Sequence, residues 1–428
     1  MAPPVDLSGV PVIDNHCHAV AADQEHDPRR WRGLFTESGG PVTQERDVTQ
    51  TAFYQRLLRA MAGQLGVPAT EAAVLAARAG RSASDLVAEL FPAAGISGVV
   101  VDTGFPAPDR AMPAADFAAA AGCSYQALLR LEVMFERLVT EHATWDGLRT
   151  AVAAELADLP GRGFAGLKCI AGYRTGLAVE RWPEAEARAA FGRARDVAGR
   201  TGTVRLGHKP LLDTLLHDAF AAAAAQGLPV QFHVGYGDAD VDLRRAGPLE
   251  LRAVLEEPAY RSMPVILLHG CWPYFREGAY LASLYDHVYL DLSYAIPFLS
   301  TGELRSMTRA ALGTAPVSKL MYSSDGARVP ELHWLGARDG RRVLGEVLGE
   351  LVADGDLGPE QARAAGRAVL HDNAARVYGF GDRRLPDRYA RAEPAVSRLN
   401  RERPDGVPSG NGRPTTLRSV RHLVRAAP

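Results

Sequence analysis

The chain has 428 residues, of which 47% are hydrophobic and 23% charged, and its formal net charge is −2 at pH 7. This is the composition of an ordinary globular protein, long enough for two average domains or one large α/β barrel, and the near-neutral balance excludes a nucleic-acid-binding footprint. Because we find neither a charge-free apolar run of membrane-spanning length nor a basic N-terminal segment with an apolar core, we expect a cytoplasmic protein without a membrane partner.

Two residue types are scarce. The four cysteines form no Cys-x-x-Cys pair, which favours free thiols in a reducing compartment over a disulfide framework. Lysine and arginine together number 48, and only Lys168, Lys209 and Lys319 are lysine, which leaves 45 arginines. A lysine that is kept against such a bias is a candidate for a role that needs an amine.

The first predicted strand, at residues 10–18, ends in His-x-His. Side chains alternate along a strand, so His16 and His18 point the same way. Two adjacent imidazoles suit a divalent metal. Residues from about 19 to 90 lack a strand pattern and carry apolar residues at helical spacing, which predicts a helical subdomain inserted after the first strand.

Seven further β-rich runs alternate with helical stretches, the pattern of a parallel sheet with crossover helices. They lie at 98–102, 127–132, 166–170, 229–233, 264–269, 288–292 and 319–325. With the first strand they predict an α/β fold, a (β/α)₈ TIM barrel spanning 1–382. Residues 383–428 contain eleven arginines and four acidic residues, a net charge of +7, which predicts an Arg/Pro-rich flexible tail.

Metal-type side chains recur where these predicted strands end. His16 and His18 end the first strand, His233 the fifth, His269 the sixth and Asp325 the eighth. A parallel barrel collects its chemistry at the C-terminal ends of its strands, so these five side chains should meet at one rim. This placement predicts a metal site.

The same residues lie in motifs that resemble the metal-dependent amidohydrolase superfamily. LKCIAGYRTGL at 167–177, LHGCWPY at 268–274 and YSSDG at 322–326 are similar to one branch, the amidohydrolase domain of glutamine-synthetase-like fusion proteins. The resemblance covers roughly residues 10–379. It implies a metal-dependent barrel hydrolase and a functional link to a glutamine-synthetase-like ligase.

Chemistry suggests a role for each rim residue. His16, His18, His233 and Asp325 are the predicted ligands of one divalent transition metal, Zn²⁺ first, with Mn²⁺ and Fe²⁺ as alternatives. Such a metal makes hydroxide available near neutral pH. Asp325 is the predicted proton acceptor, as the resemblance also implies, and His269 is expected to polarise the substrate carbonyl.

Five further residues are predicted to contact substrate or to support the ligands: Lys168, Tyr173, Arg174, Arg276 and Glu331. A lysine within an apolar strand must be paired, neutral or modified. In binuclear superfamily members such a lysine is a carbamate that bridges two metals, whereas we favour one metal here. Arg174 follows the fourth strand, and arginine is the usual residue for two-bond recognition of a carboxylate.

The sequence is therefore interpreted as a metal-dependent hydrolase that cleaves the C–N bond of a small carboxylate-bearing amide, with a γ-glutamyl amide as the example that the resemblance suggests. One alternative is a metal-dependent decarboxylase or hydratase acting on a small carboxylic acid. The other is a barrel that binds a ligand without catalysis. The sequence leaves the oligomeric state open, a homo-oligomer included.

Overall fold

The computed structural model describes residues 2–381, and a sheet of eight parallel strands forms its centre. Each strand pairs with the next in chain order. The strands are β1 Val12–His18, β2 Ile96–Asp102, β3 Ser124–Arg130, β4 Phe164–Cys169, β5 Val230–Phe232, β6 Val265–Leu267, β7 Val288–Ser293 and β8 Leu320–Ser323. Just after β8, the Asp325 N–H donates to the His16 carbonyl at 3.1 Å and joins the last strand to the first. The predicted (β/α)₈ barrel is confirmed.

Helices surround the sheet. Four of them follow β1, namely α1 Pro28–Arg32, α2 Ala52–Leu65, α3 Glu71–Arg78 and α4 Ala83–Ala93. The others are α5 Ala114–Ala121, α6 Leu131–Glu141, α7 Trp145–Leu156, α8 Glu184–Thr201, α9 Lys209–Gln226, α10 Arg252–Glu256, α11 Phe275–Leu284, α12 Thr301–Leu312, α13 Pro330–Ala353, α14 Pro359–Arg367 and α15 Asn373–Tyr378. Thr51 and Thr70 begin α2 and α3 because each side-chain oxygen accepts a hydrogen bond from a backbone N–H of the first turn.

Two apolar layers hold the barrel together. In β2, Val99 and Val101 pack among residues of the outer layer, while Val100 between them packs in the inner one, as strand alternation requires. Tyr378 of α15 belongs to the inner layer, and its hydroxyl accepts a hydrogen bond from Gln231 Nε2 at 2.7 Å. This packing fills the inside of the barrel and leaves the C-terminal rim of the strands for chemistry.

Several predicted strands run past the C-terminal ends of the observed ones. The run at 127–132 divides at Arg130, where β3 ends and α6 begins, because Leu131, Phe135 and Leu138 repeat at helical spacing and are buried. The strands β5 and β6 stop one and two residues before His233 and His269. Both histidines therefore lie in loops, where turn geometry sets their direction.

The predicted tail at 383–428 lies outside the described residues. Within residues 2–381, no helix combines the length and the apolar content that crossing a membrane would need.

Candidate active site

Three side chains meet at the junction of β1 and β8. His16 Nε2 lies 3.3 Å from Asp325 Oδ1, and His18 Nε2 lies 3.6 Å from the same oxygen. Zinc–nitrogen bonds of about 2.0–2.1 Å place tetrahedral ligand atoms about 3.3 Å apart. Both distances to Asp325 Oδ1 thus match the spacing of neighbouring ligand atoms on one small cation.

Of the other two rim histidines, His269 lies closer to this group. One ligand atom each of His16, His269 and Asp325 lie within 4.8 Å of one another, and His269 Nδ1 is 3.3 Å from Asp325 Oδ2. His233 Nδ1 instead faces His269 Nε2 at 2.9 Å, and its Nε2 faces the Tyr236 carbonyl at 2.6 Å. The sequence analysis expects His233 among the ligands and His269 outside them, whereas this geometry groups His269 with the ligand atoms.

Burial determines the charge of these groups. Burial, and after it the charge of Lys168, lowers the pKa of His16 to about 3, and burial holds the pKa values of His233 and His269 well below the usual range. Burial would raise the pKa of Asp325, but the neighbouring histidines more than offset it and hold this pKa well below normal. The set is therefore neutral imidazoles beside a carboxylate, which is the donor set of a divalent transition metal.

The two ring nitrogens of His16 and of His18 differ in their surroundings. The Nδ1 atoms of His16 and His18 have no hydrogen-bond partner among residues 2–381. Their Nε2 atoms are the ones that face Asp325. The residues present fit a metal held by His16, His18 and Asp325, with His269 or His233 beside it.

Lys168 lies within hydrogen-bonding distance of this group, as its place in β4 predicts. Its Nζ is 3.2 Å from His16 Nε2, and only 1% of the residue is exposed. Burial lowers the pKa of the Lys168 amine to about 8, although Asp102 raises it. A neutral fraction of the amine is therefore present near physiological pH.

Polar groups beneath the rim fix the two residues with left-handed backbones. His269 has φ 63° and Asp325 has φ 57°, a region that costs energy for side-chain-bearing residues. Asp291 Oδ1 accepts a hydrogen bond from the His269 N–H at 2.9 Å. Asp14 Oδ1 accepts one from the N–H of Ser324, next to Asp325, at 2.9 Å. These buried carboxylates hold the rim loops in place.

Tyr236 is a site residue that the sequence analysis missed. Its hydroxyl donates a hydrogen bond to Asp325 Oδ2, and its ring centroid lies 5.3 Å from that of His269. Only 4% of the residue is exposed. Its place three residues after His233 is the signal that could have found it, because this loop leaves the same rim.

A cavity of ≈340 Å³ opens above the metal-type residues. Lys168, Tyr173 and Arg174 line it, together with Arg130. Arg130 is bound to the Asp102 carboxylate, and Arg174 Nε donates to Glu136 Oε1 at 2.9 Å. Three basic side chains therefore line the cavity, and two of them are paired with carboxylates.

Two of the predicted contact residues lie elsewhere. Arg276 is exposed on α11 with its guanidinium over the Phe275 ring, because its position on the helix turns it to the outside. Glu331 is fully buried in α13 and forms an ion pair with Arg78 of α3. Neither residue lines the cavity, so a contact of either with substrate stays a prediction.

The chain is similar to known proteins in sequence and in structure. The family model described as Amidohydrolase matches residues 13–380. Protein fluG of Emericella nidulans is 31% identical over 265 residues, which is 60% of this chain and 30% of that protein, so the match spans less than a third of that relative's length. A solved structure from Lactobacillus casei ATCC 334, described as a metal-dependent hydrolase, is 27% identical, covers 92% of this chain and 100% of that one, and has a TM-score of 0.79.

A uronate isomerase from Thermotoga maritima is 14% identical, with a TM-score of 0.63 over 87% of this chain and 95% of that one. At this identity the likeness shows the fold alone.

Proposed function

Because the chain belongs to the amidohydrolase family, we propose that it is a metal-dependent hydrolase that cleaves the C–N bond of a small carboxylate-bearing amide, such as a γ-glutamyl amide. The observation that carries the proposal is one cavity lined by both Asp325 and Arg174. Asp325 belongs to the His-carboxylate group, and Arg174 offers the means of holding a carboxylate.

The metal that we propose is a single Zn²⁺, with Mn²⁺ or Fe²⁺ as alternatives, held by His16, His18 and Asp325 with His269 or His233. When bound, it would supply Lewis-acid activation of a water molecule and of the substrate carbonyl. Neutral imidazoles are the ligand form, and burial keeps His16, His233 and His269 neutral near pH 7.

We propose that Asp325 moves the proton. Its Oδ1 faces His16 and His18, while its Oδ2 faces His269 and the Tyr236 hydroxyl. In the proposed reaction Asp325 accepts a proton from the attacking water and passes it to the leaving nitrogen as the C–N bond breaks. The products are a carboxylate and a free amine.

The two rim histidines are a coupled pair. His233 Nδ1 and His269 Nε2 lie 2.9 Å apart, both residues are buried, and both line the cavity. We propose that whichever of them is not a metal ligand donates a hydrogen bond to the developing oxyanion of the amide carbonyl. A buried donor aimed at such an oxygen is worth more than one in water.

The basic side chains of the cavity favour a substrate that carries a carboxylate. Arg130, Lys168 and Arg174 all line the cavity, and Arg130 and Lys168 are both close to the Asp102 carboxylate. A substrate carboxylate would find its partner in Arg174, whose only acceptor among the described residues is Glu136, on Nε.

The test is a product screen with metal-loaded enzyme. Small amides and the matching free acids are incubated with the protein, and amine, ammonia and CO₂ are measured. Release of amine from an amide supports the proposal. Release of CO₂ from an acid would point to decarboxylation, and tight binding without any turnover would point to a ligand-binding barrel. Either result would overturn the proposed reaction.

A further inference from the structure

The charged groups of the cavity are of both signs. Lys168, Arg130 and Arg174 line one part of it, and Glu37 lines it as well, from the segment that follows β1. We propose that Glu37 binds a protonated amino group of the substrate while Arg174 binds its carboxylate, so that the substrate class is an amino acid derivative. This inference rests on the proposed function for the choice of probes.

Arg174 is held by one edge and open on the other. Its side chain is only 8% exposed, and its Nε donates to Glu136 Oε1, which also accepts from the Leu206 N–H at 3.0 Å. Among residues 2–381, no group accepts a hydrogen bond from its two terminal nitrogens. A buried guanidinium fixed in this way presents a two-bond fork for a carboxylate.

Glu37 is the matching unpaired acid. No donor among the described residues bonds to its carboxylate, and no cationic nitrogen lies within ion-pair distance of it. Burial raises the pKa of Glu37 to about 7, Asp325 and Asp238 raise it too, and Arg328 lowers it. A half-buried carboxylate without a partner is costly, and an ammonium group would remove that cost.

Glu37 lies close enough to Tyr173, the residue before Arg174, for its charge to act on the Tyr173 hydroxyl. After burial, the Glu37 charge is the largest influence that raises the pKa of the Tyr173 hydroxyl. Tyr173 and Arg174 both line the cavity that Glu37 lines. One small molecule can therefore meet an acidic and a basic group in the same space.

The other acids of the cavity already have partners. Asp240 forms an ion pair with Arg205 at 3.0 Å, and Asp238 Oδ1 accepts a hydrogen bond from the Asp240 N–H at 3.1 Å. Arg328 places its guanidinium over the Phe105 ring, 4.8 Å from the ring centroid. Among the described cavity residues, Glu37 is thus the half-buried acid without a hydrogen-bond or ion-pair partner.

The test is isothermal titration calorimetry on zinc-loaded protein with three probes. L-Glutamate carries both groups, glutarate lacks the amino group, and 4-aminobutyrate lacks the α-carboxylate. Wild type should bind L-glutamate at least about tenfold more tightly than either of the others, the range for a charge-assisted hydrogen bond.

Two variants should separate the groups. Glu37→Gln should lose the preference for L-glutamate over glutarate and keep the preference over 4-aminobutyrate, and Arg174→Lys should do the reverse. Glu45→Gln, a change at an exposed glutamate of the same inserted segment, should behave like wild type. A misfolded variant would lose both preferences, and circular dichroism together with zinc content identifies it.

The inference is overturned if Glu37→Gln keeps the amino-group preference, or if wild type binds the three probes equally or not at all. The proposed function is judged separately by methylamine release from γ-glutamylmethylamide. If the two variants change the binding preferences as expected but no amine is released, the inference about Glu37 stands and the proposed reaction is wrong. If methylamine is released at equal rates from γ-glutamylmethylamide and from glutaric acid monomethylamide, the proposed reaction stands and the inference about Glu37 is wrong.

Discussion

Asp325 uses its two carboxylate oxygens for different neighbours. Oδ1 lies 3.3 Å from His16 Nε2 and 3.6 Å from His18 Nε2, whereas Oδ2 lies 3.3 Å from His269 Nδ1 and accepts from the Tyr236 hydroxyl. One oxygen can therefore serve a metal while the other handles a proton. This division is consistent with the two roles that we propose for Asp325, metal ligand and base.

We expect Asp325→Asn to lose at least about a hundredfold in kcat while the barrel stays folded, because an amide cannot accept the proton of the attacking water. The measurement is kcat for amine release, with circular dichroism as the folding check. Tyr236→Phe is the matched control, since it removes a hydrogen bond to Oδ2 and leaves the charge. If Asp325→Asn kept more than a tenth of wild-type kcat, the role of this carboxylate as base would be wrong.

The sequence predicts those site residues that lie where strands end. His16, His18 and Asp325 could be chosen because strand direction alone brings them to one rim. The relative placement of His233 and His269 could not, since both lie in loops and His269 has a left-handed backbone. Tyr236 depends on the same loop geometry.

Among the elements, α3 and α13 are joined by a buried ion pair. Arg78 Nε donates to Glu331 Oε1, and the Arg78 guanidinium lies 4.0 Å from the Trp31 ring centroid. Both charged side chains have no exposed surface. This pair fastens the helices that follow β1 to the helix that follows β8.

We predict that Glu331→Gln lowers the free energy of unfolding by about 3–5 kcal/mol, because it leaves a buried guanidinium without its counter-charge. KM should not change, since Glu331 does not line the cavity. Urea denaturation measures the first quantity and steady-state kinetics the second. Glu350→Gln, which breaks a solvent-exposed ion pair of the same helix with Arg309, should cost less than about 1 kcal/mol. If the free energy of unfolding were unchanged and KM were raised, Glu331 would contact substrate and the structural role predicted for it would be wrong.

The order of the eight strands could be predicted because apolar β-rich runs and helical runs alternate along the chain. The residues at which the strands end could be predicted less accurately than the strand order. The run at 127–132 reads as one strand, yet the buried helical face of α6 begins at Leu131. Arg276 shows the same limit, because its direction depends on the rotation of α11 and not on its distance from the strand.

Across the whole molecule, several histidines are buried in neutral form. Burial lowers the pKa values of His287 and His333 to about 4 and that of His16 to about 3, and holds those of His233 and His269 well below normal. A lowered histidine pKa contributes stability that is complete above the unfolded value of about 6.5 and is lost as pH falls toward the folded values.

We therefore expect these histidines to cost the metal-free protein unfolding free energy between about pH 6.5 and pH 4, while the buried acids Asp14 and Asp291, whose pKa values burial raises to about 8 and about 6, act in the opposite direction. His287→Gln, at the start of β7 and away from the cavity, should make this loss smaller, because one neutral buried imidazole no longer has to gain a proton. Urea denaturation at a series of pH values measures both. If wild type and His287→Gln changed in stability by the same amount over this interval, the burial argument for His287 would be wrong.

The sequence predicts the barrel and the residues at its rim, but it does not predict the substrate. The cavity takes its lining from segments that are far apart in the chain, and the unpaired state of Glu37 and the open edge of Arg174 appear only when those segments meet. The predicted tail at 383–428 stays a prediction, since it lies outside the described residues.

The proposed reaction requires that water attacks an amide carbon in this cavity. Mass spectrometry of the products formed in H₂¹⁸O by zinc-loaded protein tests it most directly. With γ-glutamylmethylamide as substrate, we predict one ¹⁸O atom in the new carboxylate for each methylamine released, and no product after chelation of the metal. Methylamine release without ¹⁸O in the carboxylate, or turnover that survives chelation, would contradict the claim.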